Sequence, residues 1–432
     1  MGLGLHAAFS QAFVQARRAR PATFTRPDLS TLPPPAPLLH TLTGLVRATA
    51  HALVVAALAG SASALFLWLL HQASALFAQH HRLIWGLPVA GAATAWVYQR
   101  WGQAVERGNN LLIDEIHQPQ DMVPLRMAPL ILLATVVSHL FGASVGREGT
   151  AVQMGGALAD QLTRWARLDA HQRRIVLQAG VAAGFASVFG TPLAGALFAL
   201  EVITRGRLAH EALWPCLVAA VAADQVTAAW GIQHERTLVA TWPAWRLGTV
   251  IAVLLIGLAS GAMAWLFARV AHQGGNATKR WLPNAALRTT VGGLAFAAVI
   301  TATQGWAWTG LGTEGIDAAL RGELPAWGFA AKAVATLWCL AFGFKGGEVT
   351  PLFFIGAGLG LALEGPLHMP AGSLSALGLV ALFGAAAKTP LACTLLAVEL
   401  FGASMLVPAA VACTLAFAVS GRTGIYKAQR AG

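Results

Sequence analysis

The chain has 432 residues, of which 56% are hydrophobic and only 11% charged, and its formal net charge is +11. An average soluble domain carries roughly a quarter charged residues, so this composition excludes an ordinary soluble enzyme and leaves a polytopic membrane protein. The basic residues cluster in loops, such as Arg164, Arg167, Arg173 and Arg174, which fits the positive-inside rule and not a nucleic-acid surface.

In chain order, residues 1–41 read as a cytoplasmic tail with Arg17, Arg18, Arg20 and Arg26, closing in the proline-rich linker "TLPPPAPLL". They lack the apolar core of a cleavable signal peptide, and none is expected. A first membrane repeat is expected over 42–232, with spans near 45–72, 82–100, 124–141, 149–165, 174–189, 191–204 and 211–230. A second, over 243–432, has spans near 246–272, 287–303, 328–343, 350–364, 373–387, 389–404 and 406–420 and ends in a pore segment. Several spans are too short or too interrupted by Gly and Pro to cross a bilayer as straight helices. They are expected to be tilted, broken or re-entrant, lining a cavity or packed on protein. The fold class is therefore all-α and polytopic. Cys216, Cys339, Cys393 and Cys413 lie in apolar runs without CxxC spacing and read as packing residues. The adjacent His80 and His81 lack metal-ligand spacing and read as interfacial, so neither a metal nor a cofactor is expected.

The two halves repeat. "TPLAGALFALEV" (191–202) matches "TPLACTLLAVEL" (389–400), and Glu148, Thr150, Gly156 and Ala157 recur 200 positions on as Glu348, Thr350, Gly356 and Ala357. A looser pair is "GNNLLIDE" (108–115) and "GTEGIDAA" (312–319). With an odd number of spans per half, the second copy enters the membrane inverted, an arrangement in which broken helices aim their N-termini at an anion near the midplane.

In "GREGTAVQ" and "KGGEVTPLFF" a glycine turn precedes an apolar run that begins at Thr150 or Thr350. Gly146 and Gly149 let backbone approach an ion closely, and the first N–H groups of a helix have no partner within it. Both turns are thus candidate anion cradles at the positive end of a helix dipole. A carboxylate at membrane depth is costly and points to function, and here Glu148 and Glu348 occupy matching places. Burial disfavours the charged form while a helix N-terminus favours it. Such a group can fill an anion site when ionised and vacate it, carrying a proton, when neutral. Glu201 and Glu399 end the paired TPLA helices and are expected to cap or to pair with neighbours such as Arg205. Asp160 and Glu364, near helix ends, are expected to be solvated, and Arg147 to be a structural partner at the pore mouth.

These residues resemble the CLC family of chloride channels and proton-coupled anion exchangers. "GREGT" is similar to the family's GxEGP element, "TPLAGALFALE" to its GPLAG helix, "GGEVTPLFFIGAGLG" to its second pore helix, and "GRTGIYKAQR" to the terminal segment that brings a tyrosine to the pore. Three features resemble the fluoride-exporting branch: Thr150 where chloride members have proline, Asn109 in place of the central serine, and Glu348 with Thr350 in the second pore helix; Val202 follows Glu201 where chloride exchangers carry a second, inner glutamate. The resemblance implies a CLC-type inverted-repeat fold, a homodimer in the bacterial inner membrane, and exchange of fluoride for protons. It makes Glu148 the gating, proton-carrying residue, Asn109 the central selectivity residue and Tyr426 the pore tyrosine. Glu348 and Thr350 become a polar relay, and Phe353 and Phe354 present ring edges to the anion. Fluoride is small and strongly hydrated, so close donors such as the Asn109 amide and the Thr350 and Tyr426 hydroxyls must offset its dehydration. The rival readings are a CLC chloride/proton exchanger or passive anion channel and, from another class, an intramembrane enzyme with a carboxylate dyad. No Ser/His or Cys/His pairing supports the enzyme.

Overall fold

The structure is a computed structural model that describes residues 38–234 and 242–431. The basic tail and the proline run of the expected linker lie outside the described residues. The described residues from Arg47 onward belong to one compact unit. The helices of the first half are α1 (Leu38–Gln79), α2 (Leu87–Val97), α3 (Asn109–His117), α4 (Met127–Leu140), α5 (Glu148–Ala166), α6 (Ala170–Phe189), α7 (Pro192–Glu201) and α8 (Leu213–Ala229). Those of the second half are α9 (Leu247–Trp281), α10 (Ala285–Thr303), α11 (Thr313–Leu320), α12 (Gly328–Phe342), α13 (Val349–Glu364), α14 (Ser373–Ala387), α15 (Pro390–Phe401) and α16 (Leu406–Val419).

Every expected span corresponds to a helix. The two short helices α3 and α11 were not among them, because nine and eight residues of mixed polarity carry no span signal. Among the described residues, four stretches are long and apolar enough to cross a membrane: Leu42–Gln79, His210–Ala229, Leu247–Trp281 and Ala285–Thr303. At about 1.5 Å per residue, α4, α7, α12 and α13, with 10 to 16 residues, fall short of a hydrocarbon core of about 30 Å. Their ends therefore lie at membrane depth, where exposed backbone must find partners in protein.

Those partners come from the repeat. Gly146 and Gly347, at the two glycine turns, form an antiparallel bridge in which each N–H donates to the other's carbonyl, at 2.5 and 2.8 Å. A second reciprocal contact joins the TPLA helices. The Glu201 carboxylate at the end of α7 accepts the N–H groups of Leu391 (3.1 Å) and Ala392 (2.9 Å) at the start of α15. Glu399 of α15 does the same for Leu193 (2.9 Å) and Ala194 (2.8 Å) of α7. Two contacts that each return on themselves when the halves are exchanged mark a local twofold relation between the repeats. Of the two expectations for these carboxylates, capping holds and pairing with Arg205 does not: the acceptors of Arg205 are the carbonyls of Arg422 and Arg430, and Glu201 caps a helix of the other half, whose orphan N–H groups need an acceptor there.

Asp160 and Glu364 also depart from expectation, being 0% and 4% exposed. Asp160 accepts Arg173 Nε (2.7 Å) and Nη2 (2.8 Å) and the Val123 N–H (2.7 Å). Glu364 accepts the N–H groups of Gly372 (3.1 Å) and Ser375 (2.8 Å) and the Ser375 hydroxyl (2.9 Å) at the start of α14. Both sit at the end of a pore helix and tie it to the next helix, α6 or α14. These pairs also pack through glycine: a Cβ on Gly155 of α5 would lie 2.2 Å from the Gly180 carbonyl of α6, and one on Gly356 of α13 would lie 2.3 Å from that of Gly378 in α14. Small residues thus let helix backbones touch inside the membrane.

Because Glu201 satisfies two N–H groups that have no water to turn to, Glu201→Ala is expected to destabilise the protein by about 1–3 kcal/mol. Thermal unfolding in detergent would register this as a lower midpoint, whereas an unchanged midpoint would mean the cap is idle.

Candidate functional site

The site is assembled from helix starts. Gly108 has φ +56° and ψ −129°, open to glycine alone, and this turn launches α3 at Asn109. The Gly146–Gly347 bridge fixes the starts of α5 and α13 against one another. Glu148 is the first residue of α5, and Glu348 caps α13. The C-terminal segment enters from outside both halves and is pinned along its length. Ile425 N–H donates to the Ala386 carbonyl (2.9 Å), Ala428 N–H to Asn110 Oδ1 (2.9 Å), and Gln429 Nε2 to the carbonyls of Val202 (2.9 Å) and Ala387 (2.7 Å). Strand β2 (Arg430–Ala431) then pairs with β1 (Thr204–Arg205). The outcome is a buried Tyr426, 6% exposed.

Glu148 is fully buried and reaches across to the other half. Its Oε2 accepts the Thr350 N–H at 3.0 Å, and the Thr350 hydroxyl lies 2.6 and 2.7 Å from its two oxygens. The Arg147 N–H donates to Oε2 at 3.2 Å, and Arg147 Nε stands 3.5 Å from Oε1. This carboxylate occupies the donors that the N-terminus of α13 would offer an anion. Protonation removes the charge that makes these bonds strong, which leaves the Thr350 donors for another anion. Arg147 therefore faces the Glu148 carboxylate.

Asn109, Glu348 and Tyr426 line one open cavity of about 830 Å³, together with Gln153 of α5 and Lys345 of the second glycine turn. Asn109 Oδ1 is buried without a hydrogen-bond partner, so a water or another proton-bearing species at this spot would find an acceptor. Gly149 lies beneath Asn109, where a Cβ would come within 3.1 Å of Nδ2. Seven residues singled out in the sequence, Glu148, Thr350, Gly146, Gly149, Thr150, Phe353 and Phe354, are not part of its lining. The Thr150 hydroxyl is 2.7 Å from that of Thr135 in α4. Phe353 packs edge-on to Phe383 with ring centroids 5.2 Å apart, and Phe354 edge-on to Trp308 at 6.0 Å. The Gly146 N–H is taken by the bridge. Thr135, Gln153 and Lys345 were missed in the sequence. The spacing of Thr135 and His139, two polar residues four apart in an apolar run, is the helical signal that would have found the first. Among the described residues no group of His, Cys, Asp and Glu is arranged to hold a metal ion.

Inverted helical repeats, converging helix starts and a carboxylate in the anion position define a membrane carrier or channel for anions. The comparisons agree. The model of the voltage gated chloride channel family matches residues 90–421. A "Chloride/fluoride channel protein" of Pseudomonas syringae pv. tomato is 51% identical over 390 residues, covering 88% of this chain and 85% of its own. Among solved structures, a CLC-type fluoride/proton antiporter superposes with a TM-score of 0.87 at 33% identity, covering 91% of this chain and 99% of its own. A slow cyanobacterial chloride/proton antiporter, 21% identical over 88% of this chain and 96% of its own, shares the fold with a TM-score of 0.76. The chain belongs to the CLC family, and it is a multi-pass membrane protein of ion transport.

The Thr350 hydroxyl is a donor to a charged group, worth about 1.5–3 kcal/mol. Thr350→Val should therefore slow anion flux by about tenfold or more, by mispositioning the gate and stripping a donor from the site. Thr350→Ser should keep most of the flux. Equal initial rates for Val and Ser in reconstituted vesicles would deny the hydroxyl any part.

Proposed function

We propose that the protein is a secondary active fluoride/proton antiporter that expels fluoride across the bacterial cytoplasmic membrane, driven by the inward proton gradient. The observation that carries this is the Glu148 carboxylate seated on the Thr350 N–H and hydroxyl. One site is then contested by a proton-bearing group and an anion, which is what exchange requires. When Glu148 takes up a proton it releases Thr350, and fluoride enters. When fluoride leaves, the ionised carboxylate returns. Asn109 and Tyr426 supply polar contacts along the way from the cavity, and Glu348 relays protons where Val202 stands in place of an inner glutamate. Phe353 and Phe354 form the wall behind the α13 start. The cavity faces the cytoplasm, since its lining carries Arg107, Lys279, Arg288, Lys345 and Lys427. Two copies assemble as a homodimer, each with its own path.

Selectivity follows from geometry and hydration. A small anion that binds water tightly is favoured by short, strong donors such as a threonine N–H and hydroxyl on one residue. Chloride is larger and gains less from them. A passive channel is the second reading, favoured by the absent inner glutamate and in keeping with the name of the Pseudomonas syringae relative.

The experiment is flux in proteoliposomes under opposed fluoride and proton gradients. Fluoride driven uphill by protons, with chloride moving much more slowly, is the expected result. Chloride flux equal to fluoride flux would sink the selectivity, and fluoride movement without protons would make the protein a channel. Glu148→Gln should abolish proton movement by at least about 10²-fold, the low end for a positioned proton-transfer group.

A further inference from the structure

Helices α6 and α14 occupy matching places in the two halves, each leading through a Thr-Pro step into a TPLA helix, and each is capped by a residue in the left-handed region. In the first half that residue is Gly190, with φ +69° and ψ +29°. In the second it is Lys388, with φ +63° and ψ +39°. Glycine enters this region freely, whereas a lysine there is strained. A strained residue persists only where its surroundings hold it, and at Lys388 the hold lies in the side chain.

Lys388 is 1% exposed, and its ammonium carries three N–H donors. Their acceptors are the Ser420 hydroxyl at 2.7 Å, the Gly421 carbonyl at 2.8 Å and the Ser420 carbonyl at 3.3 Å. Ser420 caps the end of α16, the negative end of a helix dipole, which favours a cation even though none of these three acceptors is a carboxylate. From there the chain runs through "GRTGI" to Tyr426. Along this path the segment meets the last carbonyls of α14. The Ser420 hydroxyl stands 3.3 Å from that of Ala385, the Ile425 N–H donates to Ala386 at 2.9 Å, and Gln429 Nε2 donates to Ala387 at 2.7 Å. The Thr389 N–H takes the carbonyl before them, on Gly384, at 2.9 Å. These are the four carbonyls that a helix end leaves without partners in the helix. A Cβ on Gly424 would come within 2.9 Å of the Ala386 carbonyl and 3.1 Å of Lys388 Cγ, so the segment lies directly on this helix end.

We propose that Lys388 is a positioning residue for Tyr426: by clamping the end of α16 to the end of α14, it sets where the tyrosine hydroxyl meets fluoride in the cavity. The charge of the lysine does this and not its bulk, because its partners are a hydroxyl and two carbonyls at a helix end. The second half carries a strained lysine where the first carries glycine because it is the end of α14 that receives the C-terminal segment. Hydrogen bonds weaken steeply when distance or angle is lost, so a shifted segment costs the hydroxyl its hold on a small anion. This inference rests on the reading of Tyr426 as a fluoride contact in a fluoride/proton exchanger.

The test is a double-mutant cycle on the fluoride concentration for half-maximal flux in proteoliposomes, with Tyr426→Phe as the second substitution. Lys388→Met keeps the stem and removes the charge. It should raise the half-saturation point at least about threefold when Tyr426 is present, a fraction of what a hydrogen bond to a charged group is worth. Lys388→Arg should restore most of the loss. In the Tyr426→Phe background Lys388→Met should add little, because the hydroxyl it positions is gone, whereas a lysine that served stability alone would act alike in both backgrounds. Ser420→Ala, which removes the nearest acceptor, should give a smaller shift of the same sign and carries the cycle if Lys388→Met does not fold. Half-saturation points unchanged in both variants, or shifted equally with and without the Tyr426 hydroxyl, would overturn the positioning role while leaving fluoride/proton exchange intact. An unsubstituted protein that moves no fluoride would overturn the exchange and this inference with it.

Discussion

The structure turns on one contact between the repeats, in which Glu148 at the start of α5 fills the donor set at the start of α13. A carboxylate buried in a membrane must be neutral or must be given what water would have given it. Here it receives a backbone N–H, a hydroxyl and the company of Arg147. Nothing covalent keeps it there. An anion able to use the Thr350 N–H and hydroxyl would compete with it, and in the proposed exchange a proton decides the competition.

That contact requires two helix starts to meet at membrane depth, and the fold is arranged around this need. Helices of 10 to 16 residues are too short to bring both ends to water. Their inner ends are satisfied by the other repeat: Gly146 by Gly347, Leu391 and Ala392 by Glu201, Leu193 and Ala194 by Glu399. An inverted duplication supplies such partners by symmetry. The buried ties at Asp160 and Glu364 then hold each pore helix to the helix that follows it.

Much of this was legible in the sequence, because hydropathy and duplication are both one-dimensional signals. The spans and the pairing of Glu148 with Glu348 as equivalents followed from them, and the family from the resemblance of short motifs such as "GREGT" and "TPLAGALFALE". Equivalence is not contact, however. The repeat matches Glu148 to Glu348 and Thr150 to Thr350, yet the bond that forms joins Glu148 to Thr350, and Thr150 turns to Thr135. The helices α3 and α11 escaped notice because a nine-residue helix such as "NNLLIDEIH" is neither long nor apolar. Asp160 and Glu364 looked solvated because their partners, Arg173 and the start of α14, come from separate helices.

The central claim is that Glu148 and fluoride compete for one set of donors, and calorimetric titration of the purified protein with fluoride tests it without transport. Affinity should rise as pH falls in the unsubstituted protein, and Glu148→Ala should bind more tightly at neutral pH with little dependence on pH. Equal affinity and equal pH dependence in the two proteins would contradict the claim.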